Sequence, residues 1–260
     1  MSKELIKSRH SRTKSLVALV LSFAAGFVDV VGVLTIYQLF TAHMTGTTVR
    51  LGQQLVYRNW SEVAPAATIL AAFFAASLVG RILIEIGQRS HFRRIASLTL
   101  SMEAILLAGV IPIGTYSPHV AAKSLPLICL LLAMLAGAMG LQTASLTRIG
   151  ALTVHTTFVT GMVNKLAQVS SRWLFGIYDL HSKSDAADER LRGAIKDHAR
   201  QSRFFFSIWL LYLVGATFGT WLGTAHELTA LWVPFSILLA VIIVDLVHPL
   251  SIEEEREQVE

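Results

Sequence analysis

The residues of this chain with chemistry to offer are few, and they lie in otherwise apolar surroundings. Thr45-Gly46 is followed by Arg50, Leu51 and Gln53, and Thr160-Gly161 is followed at the same spacing by Lys165, Leu166 and Gln168. Hydroxyls and a flexible glycine, with a cation one turn on, are groups that can line a polar path for a solute. The first motif supplies Thr45, Gly46, Thr47 and Arg50, and the second supplies Thr160, Gly161, Asn164 and Lys165. Asp29 lies 13 residues beyond Leu16 in an apolar run, roughly 20 Å along a helix. Glu103 is the other acid expected deep in such a run. A carboxylate at that depth costs several kcal/mol unless it is paired or hydrated. Each is therefore expected either to carry a proton beside a solute path or to be held by a structural partner. Gln142 roughly occupies the place of Asp29 in the second half of the chain. Gly26 and Gly32 flank Asp29, and Gly140 precedes Gln142; all three are expected to permit close helix packing or a kink.

Positioning such residues requires elements suited to lipid. Of 260 residues, 53% are hydrophobic and 15% charged, where soluble domains carry about a quarter charged. Mean hydropathy is +0.58. Helices are the expected elements, because unpaired strands leave their backbone unsatisfied in lipid. Six runs, at 16–36, 63–86, 95–114, 125–146, 204–223 and 228–247, approach the roughly 20 residues needed to span a bilayer. The first run is 21 residues long and contains Asp29, whereas a secretory signal core has roughly 7 to 15 residues. It reads as a retained span.

The net charge of +5 sits between these runs. Lys3, Lys7, Arg9, Arg12 and Lys14 precede the first, Arg89, Arg93 and Arg94 follow the second, and nine more Lys or Arg lie in 147–203. The opposite side receives only Arg50, Arg58 and Lys123. This asymmetry places both termini in the cytoplasm and assigns the basic residues to membrane orientation, not to nucleic acid. The chain divides into a basic N-terminus at 1–15, a first membrane repeat at 16–114 and an outer loop at 115–124. A second repeat at 125–248, with a charged cytoplasmic linker at about 176–203, and an acidic tail at 249–260 complete it.

The word repeat rests on more than the two Thr-Gly motifs. Leu78-Val79-Gly80 matches Leu213-Val214-Gly215, and Ile105-Leu106-Leu107-Ala108 matches Ile237-Leu238-Leu239-Ala240, in the same order. Three spans in each half give the second half the opposite orientation, as in many secondary transporters. The expected fold is all-α and integral to the membrane, with six spans in two inverted three-helix repeats. Segments 37–57 and 150–170 are too polar for lipid-facing spans and too apolar for plain loops. Each is expected to be a re-entrant or broken helix, with a surface-lying amphipathic helix as the alternative.

Ala25-Gly26-Phe27-Val28-Asp29-Val30-Val31-Gly32, and then Ala42-His43-Met44-Thr45-Gly46-Thr47-Thr48-Val49-Arg50, resemble the YoaK-like family of bacterial membrane proteins. Gly140-Leu141-Gln142 with Val159-Thr160-Gly161 resembles its second signature. The resemblance implies six spans in a bacterial inner membrane and a small-molecule permease role. The family commonly has Met-Thr-Gly-Asn, and Thr47 stands in place of that asparagine.

The sequence carries no phosphate-binding glycine loop, nucleophile elbow or paired-histidine zinc helix. His43 and His155 do not align across the motifs, and the single cysteine, Cys129, rules out an internal disulfide. No cofactor, metal site or catalytic residue is expected. The leading expectation is a secondary transporter or channel-like permease for a small polar solute, with proton coupling through Asp29. A membrane scaffold or regulatory subunit acting through 176–203 is the alternative, and an intramembrane lipid-acting enzyme a third. The expected partners are the bilayer and a small solute, and assembly with further copies of the chain is compatible with this reading.

Overall fold

The computed structural model describes residues 2–90, 94–116, 124–145, 148–149, 152–154, 156–182 and 189–247. Arg93, Lys123, His155, the acidic tail and most of the expected outer loop lie outside the described residues. The elements are α1 (Ser2–Thr35), α2 (Met44–Val56), α3 (Trp60–Arg89), α4 (Ile95–Tyr116) and α5 (Leu125–Ser145). There follow a minimal hairpin of β1 (Arg148–Ile149) and β2 (Leu152–Thr153), then α6 (Val159–Ser182), α7 (Glu189–His226) and α8 (Trp232–Val247).

Among the described residues, five helical runs are long and apolar enough to cross a membrane: Thr13–Thr35, Trp60–Arg89, Ile95–Ile113, Leu125–Ser145 and Glu189–Val247. The last contains both apolar stretches expected near the C-terminus. A 3-10 turn at Glu227–Leu231, entered through Glu227 at φ 50°, divides α7 from α8 within it. The expected linker at 176–203 is largely helical. Its ends belong to α6 and α7, and only 183–188 fall outside the described residues.

Side-chain contacts fix the helix directions. Phe23 meets Gly215, Phe27 meets Gly219 and Val31 meets Gly223, so α1 and α7 run parallel. Phe73 meets Gly140 and Gly80 meets Ala144, so α3 and α5 are also parallel. Gly109 against Met134 and Leu106 against Gly137 make α4 antiparallel to α5. Ser97, in the first turn of α4, holds Asp245 in the last turn of α8, with which α4 also packs. Leu21 and Gly32 of α1 meet Gln142 and Leu135 of α5 in reverse order. In chain order, α1, α3, α4, α5, α7 and α8 therefore alternate in direction.

The two tight pairs also share a register. Phe27 and Val30 meet Gly219 as Leu141 and Ala144 meet Gly80, while Phe23 meets Gly215 as Gly137 meets Ala76. By contact, Gly80 thus corresponds to Gly219, one turn beyond the Gly215 that the sequence match selects. Glycine is needed here because the backbones nearly touch. A Cβ on Gly26 would lie 2.2 Å from the Tyr212 carbonyl oxygen, and one on Gly140 would lie 2.5 Å from that of Phe73.

The centre of the bundle is α1 and α5, with 67% and 61% of their most apolar windows buried, against 11% for α3. Their inward faces supply Leu21, Phe27, Leu131, Leu135 and Met139, all fully buried. α6 runs antiparallel along α7, with Ser170 against Ser202 and Gly176 against Ile195. Its first turns therefore lie beside the apolar stretch of α7 that begins at Phe204. Its later turns and the start of α7 form a more polar hairpin.

Candidate solute site

The segment joining α1 to α2 is irregular and needs support. Asp29 provides it from inside α1. Its Oδ1 accepts from the Thr41 amide at 2.7 Å, the Thr41 hydroxyl at 3.1 Å and the Ala42 amide at 2.9 Å. Its Oδ2 accepts from the Tyr212 hydroxyl of α7 at 2.9 Å. Asp29 is only 3% exposed, so these four donors replace water around the carboxylate. Gly32 lies beneath Thr41, where a Cβ would come 3.4 Å from its methyl group.

That segment leads into the first turn of α2. Gly46 sits under the ring of His43, where a Cβ would be 2.8 Å from Nδ1. The glycine therefore makes room for a ring and does not break a helix, since the irregular residues lie upstream of it. Thr47 is buried, and its hydroxyl donates to the carbonyls of His43 and Phe40 at 3.1 and 3.2 Å. One turn further, Arg50 pairs with Glu62 of the first turn of α3 at 3.2 Å, and the Tyr37 hydroxyl donates to the other Glu62 oxygen. Tyr37 lies past the end of the first apolar helix. Burial, then its bond to Glu62, pushes its phenol up to about 12, so it stays a donor at neutral pH.

These residues line an open cavity of about 720 Å3. Tyr37, His43, Gly46, Thr47, Arg50 and Glu62 contribute polar groups to its lining, and Val33, Leu34, Ile36, Leu39, Phe40 and Ile128 apolar ones. Of the expected site residues, Gly46, Thr47 and Arg50 line it directly. Asp29 does not line it, but fastens Thr41 and Ala42, which lie between the lining residues Phe40 and His43. Thr45 is exposed beside it.

The second motif is built alike with different groups. Phe158 covers Gly161 as His43 covers Gly46, and the Met162 amide donates to Phe158 as that of Thr47 does to His43. Thr160 and Asn164 are exposed, and Lys165 is half-buried. Where Asp29 holds the first loop, Thr143 bonds Thr157, and Gln142 Nε2 donates to Thr156 at 3.3 Å and to the Leu21 carbonyl at 2.7 Å. The second half thus fastens its loop with neutral groups. Glu103 is 1% exposed, and its Oε2 finds no hydrogen-bond partner among the described residues. Neither it nor Gln142 borders the cavity.

Sequence reasoning misses Tyr37, Glu62, Thr41 and Asp245. Asp245 carries the signal that selects Asp29, an acid inside an apolar run, and is fully buried. Its Oδ2 accepts from the Ser97 amide at 2.8 Å and from the Ser97 hydroxyl.

Apolar helices of spanning length, alternating in direction around a core with buried acids, define a helical multi-pass membrane protein. The chain matches, over residues 17–244, the family described as "Protein of unknown function (DUF1275)". It belongs to that family. It is also 26% identical over 156 residues to the UPF0700 transmembrane protein YoaK of Bacillus subtilis (strain 168), covering 60% of this chain and 67% of that one. No solved structure matches.

Proposed function

We propose that the protein is a secondary transporter or channel-like permease for a small polar solute, built as two inverted repeats of three spans. The observation that carries this is the cavity at the N-terminal turn of α2, which places Arg50, Glu62 and Tyr37 at the rim of an apolar bundle. Such a concave site, with apolar and polar groups in similar measure, suits a small molecule that carries both. The repeat is supported by the alternating directions of six helices and by the shared register of α1 on α7 and α5 on α3. In this reading α2 and α6 are half-helices that enter from opposite ends, each with its Thr-Gly turn foremost. The basic clusters support an orientation with both termini in the cytoplasm of a bacterial inner membrane and the cavity on the outer side.

Proton coupling enters through Asp29. A proton on one oxygen turns that oxygen from acceptor into donor, so either the Thr41 and Ala42 bonds at Oδ1 or the Tyr212 bond at Oδ2 must rearrange, which gives the segment two states. The solute is moved and not chemically altered.

The test is uptake of labelled small solutes into proteoliposomes, with and without a pH gradient, for wild-type and Asp29→Asn protein. The expected result is flux that responds to the gradient in the wild type and loses that response in the variant. Flux no greater than that of empty liposomes across the panel counts against the permease.

One observation favours a second reading, a membrane scaffold. Leu174, Phe175 and Tyr178 are 58%, 67% and 67% exposed on the later turns of α6, beyond the apolar part of α7. A scaffold requires this hairpin for function and tolerates Asp29→Asn.

A further inference from the structure

We infer that the cavity beside α2 recognises a zwitterion that carries an amine, a carboxylate and an apolar body, in the manner of an apolar α-amino acid. The inference rests on the permease reading only for the passage of that ligand, since recognition follows from the cavity itself.

The lining holds one carboxylate, Glu62, and one guanidinium, Arg50. Arg50 and Glu62 are paired at 3.2 Å, yet their side chains remain 46% and 25% exposed. The pair is therefore held in place without being closed to a ligand. A guanidinium has five N–H donors, and the bond to Glu62 uses one of them. Each Glu62 oxygen already accepts one bond, from Tyr37 or from Arg50, and keeps a second lone pair. A ligand carboxylate can take the spare guanidinium donors while its ammonium takes the spare carboxylate lone pairs, so that four charges alternate in sign.

The balance of charge selects the class. A simple anion gains Arg50 but faces Glu62, and a simple cation gains Glu62 but faces Arg50. Only a ligand bearing both charges meets each with its opposite. Leu34, Phe40 and Ile128 in the same lining offer contact for an apolar side chain. A cavity of about 720 Å3 has room for such a molecule and its water.

The experiment is equilibrium binding of labelled L-leucine to the purified full chain in lipid nanodiscs, with two competitors. N-acetyl-L-leucine keeps the carboxylate and loses the cation; L-leucinamide keeps the ammonium and loses the anion. L-leucine should compete better than either by roughly tenfold or more, the usual worth of a charged hydrogen bond. Glu62→Gln should level L-leucine with N-acetyl-L-leucine, and Arg50→Gln should level it with L-leucinamide. Equal competition by a single-charge analogue in the wild type, or no L-leucine binding at millimolar concentration, overturns the proposal. The wild-type comparison stands even if a variant fails to fold. Binding of L-leucine without flux leaves this site in place and removes the permease. Flux of another solute without L-leucine binding does the reverse.

Discussion

At the scale of single residues, Asp29 differs from a solvated transport acid in having every visible role taken. Two backbone amides and two hydroxyls converge on it from the segment joining α1 to α2 and from α7. Asp29→Ala strands all four donors in a buried place, at about 1–3 kcal/mol for each that finds no substitute. Thermal unfolding in detergent should show a large loss for Asp29→Ala, a smaller one for Asn, which keeps one acceptor oxygen, and the smallest for Tyr212→Phe. An Asp29→Ala protein that melts with the wild type sinks the latch. Tyr37 supports a second prediction, in pH. Its phenol is raised from 10 to about 12 by burial and by Glu62. A raised value means that the protonated, donating form is favoured by folding. Stability from this group is therefore complete below pH 10, and is lost as pH rises through about 12. Ultraviolet titration of wild type minus Tyr37→Phe should show a tyrosinate step near 12, and a step at 10 contradicts the bond to Glu62.

At the scale of elements, close packing rests on glycines whose absent side chains let helix backbones meet. Gly26, Gly140 and Gly215 would each place a Cβ within 2.5 Å of a carbonyl oxygen on the facing helix, whereas Gly52 and Gly193 face open space. Alanine at any of the first three should destabilise by about 1–3 kcal/mol through overpacking. At Gly52 or Gly193 it should be neutral or stabilise by up to about 1 kcal/mol, since helix interiors favour alanine. Comparing melting temperatures of the five variants checks this, and uniform effects would refute the contact register. Much of this level is legible in sequence. Lipid demands long apolar runs, so the helices stand out, and polar motifs such as Thr-Gly are conspicuous against them. What is not legible is partnership. Tyr37 meets Glu62 across 25 residues and Ser97 meets Asp245 across 148, separations that carry no periodic signal. Glu62 lies just before the expected run at 63–86 and carries no signal of its own, and Gly46 reads as a breaker until the His43 ring is seen above it.

At the scale of the whole molecule, the surface is what water could not tolerate. Phe74, Ile105, Leu130 and Ile243 are 67%, 69%, 50% and 60% exposed, on α3, α4, α5 and α8 respectively. A soluble chain rarely leaves so many large apolar groups uncovered, while a bilayer covers them without further partners. The helix directions then allow one simple threading. α7 has 38 residues, about 57 Å of helix, and the hydrocarbon core takes roughly 30 Å. The remainder accommodates the polar hairpin with α6 on the side of the basic clusters. α8 has 16 residues, about 24 Å, so its crossing is the tightest and the most informative to test. After Cys129→Ser removes the native thiol, single cysteines at Tyr57, Ala225, Phe175 and Val247 can be treated with a membrane-impermeant maleimide. Tyr57 and Ala225 should label in intact cells, because in the proposed orientation the end of α2 and the end of α7 face outward. Phe175 and Val247 should label only after permeabilisation. Outside labelling at Val247 with the other three as expected would return α8 to the face where α7 ends. That pattern would remove the sixth span, and the inverted repeat with it, while leaving the cavity at α2 untouched.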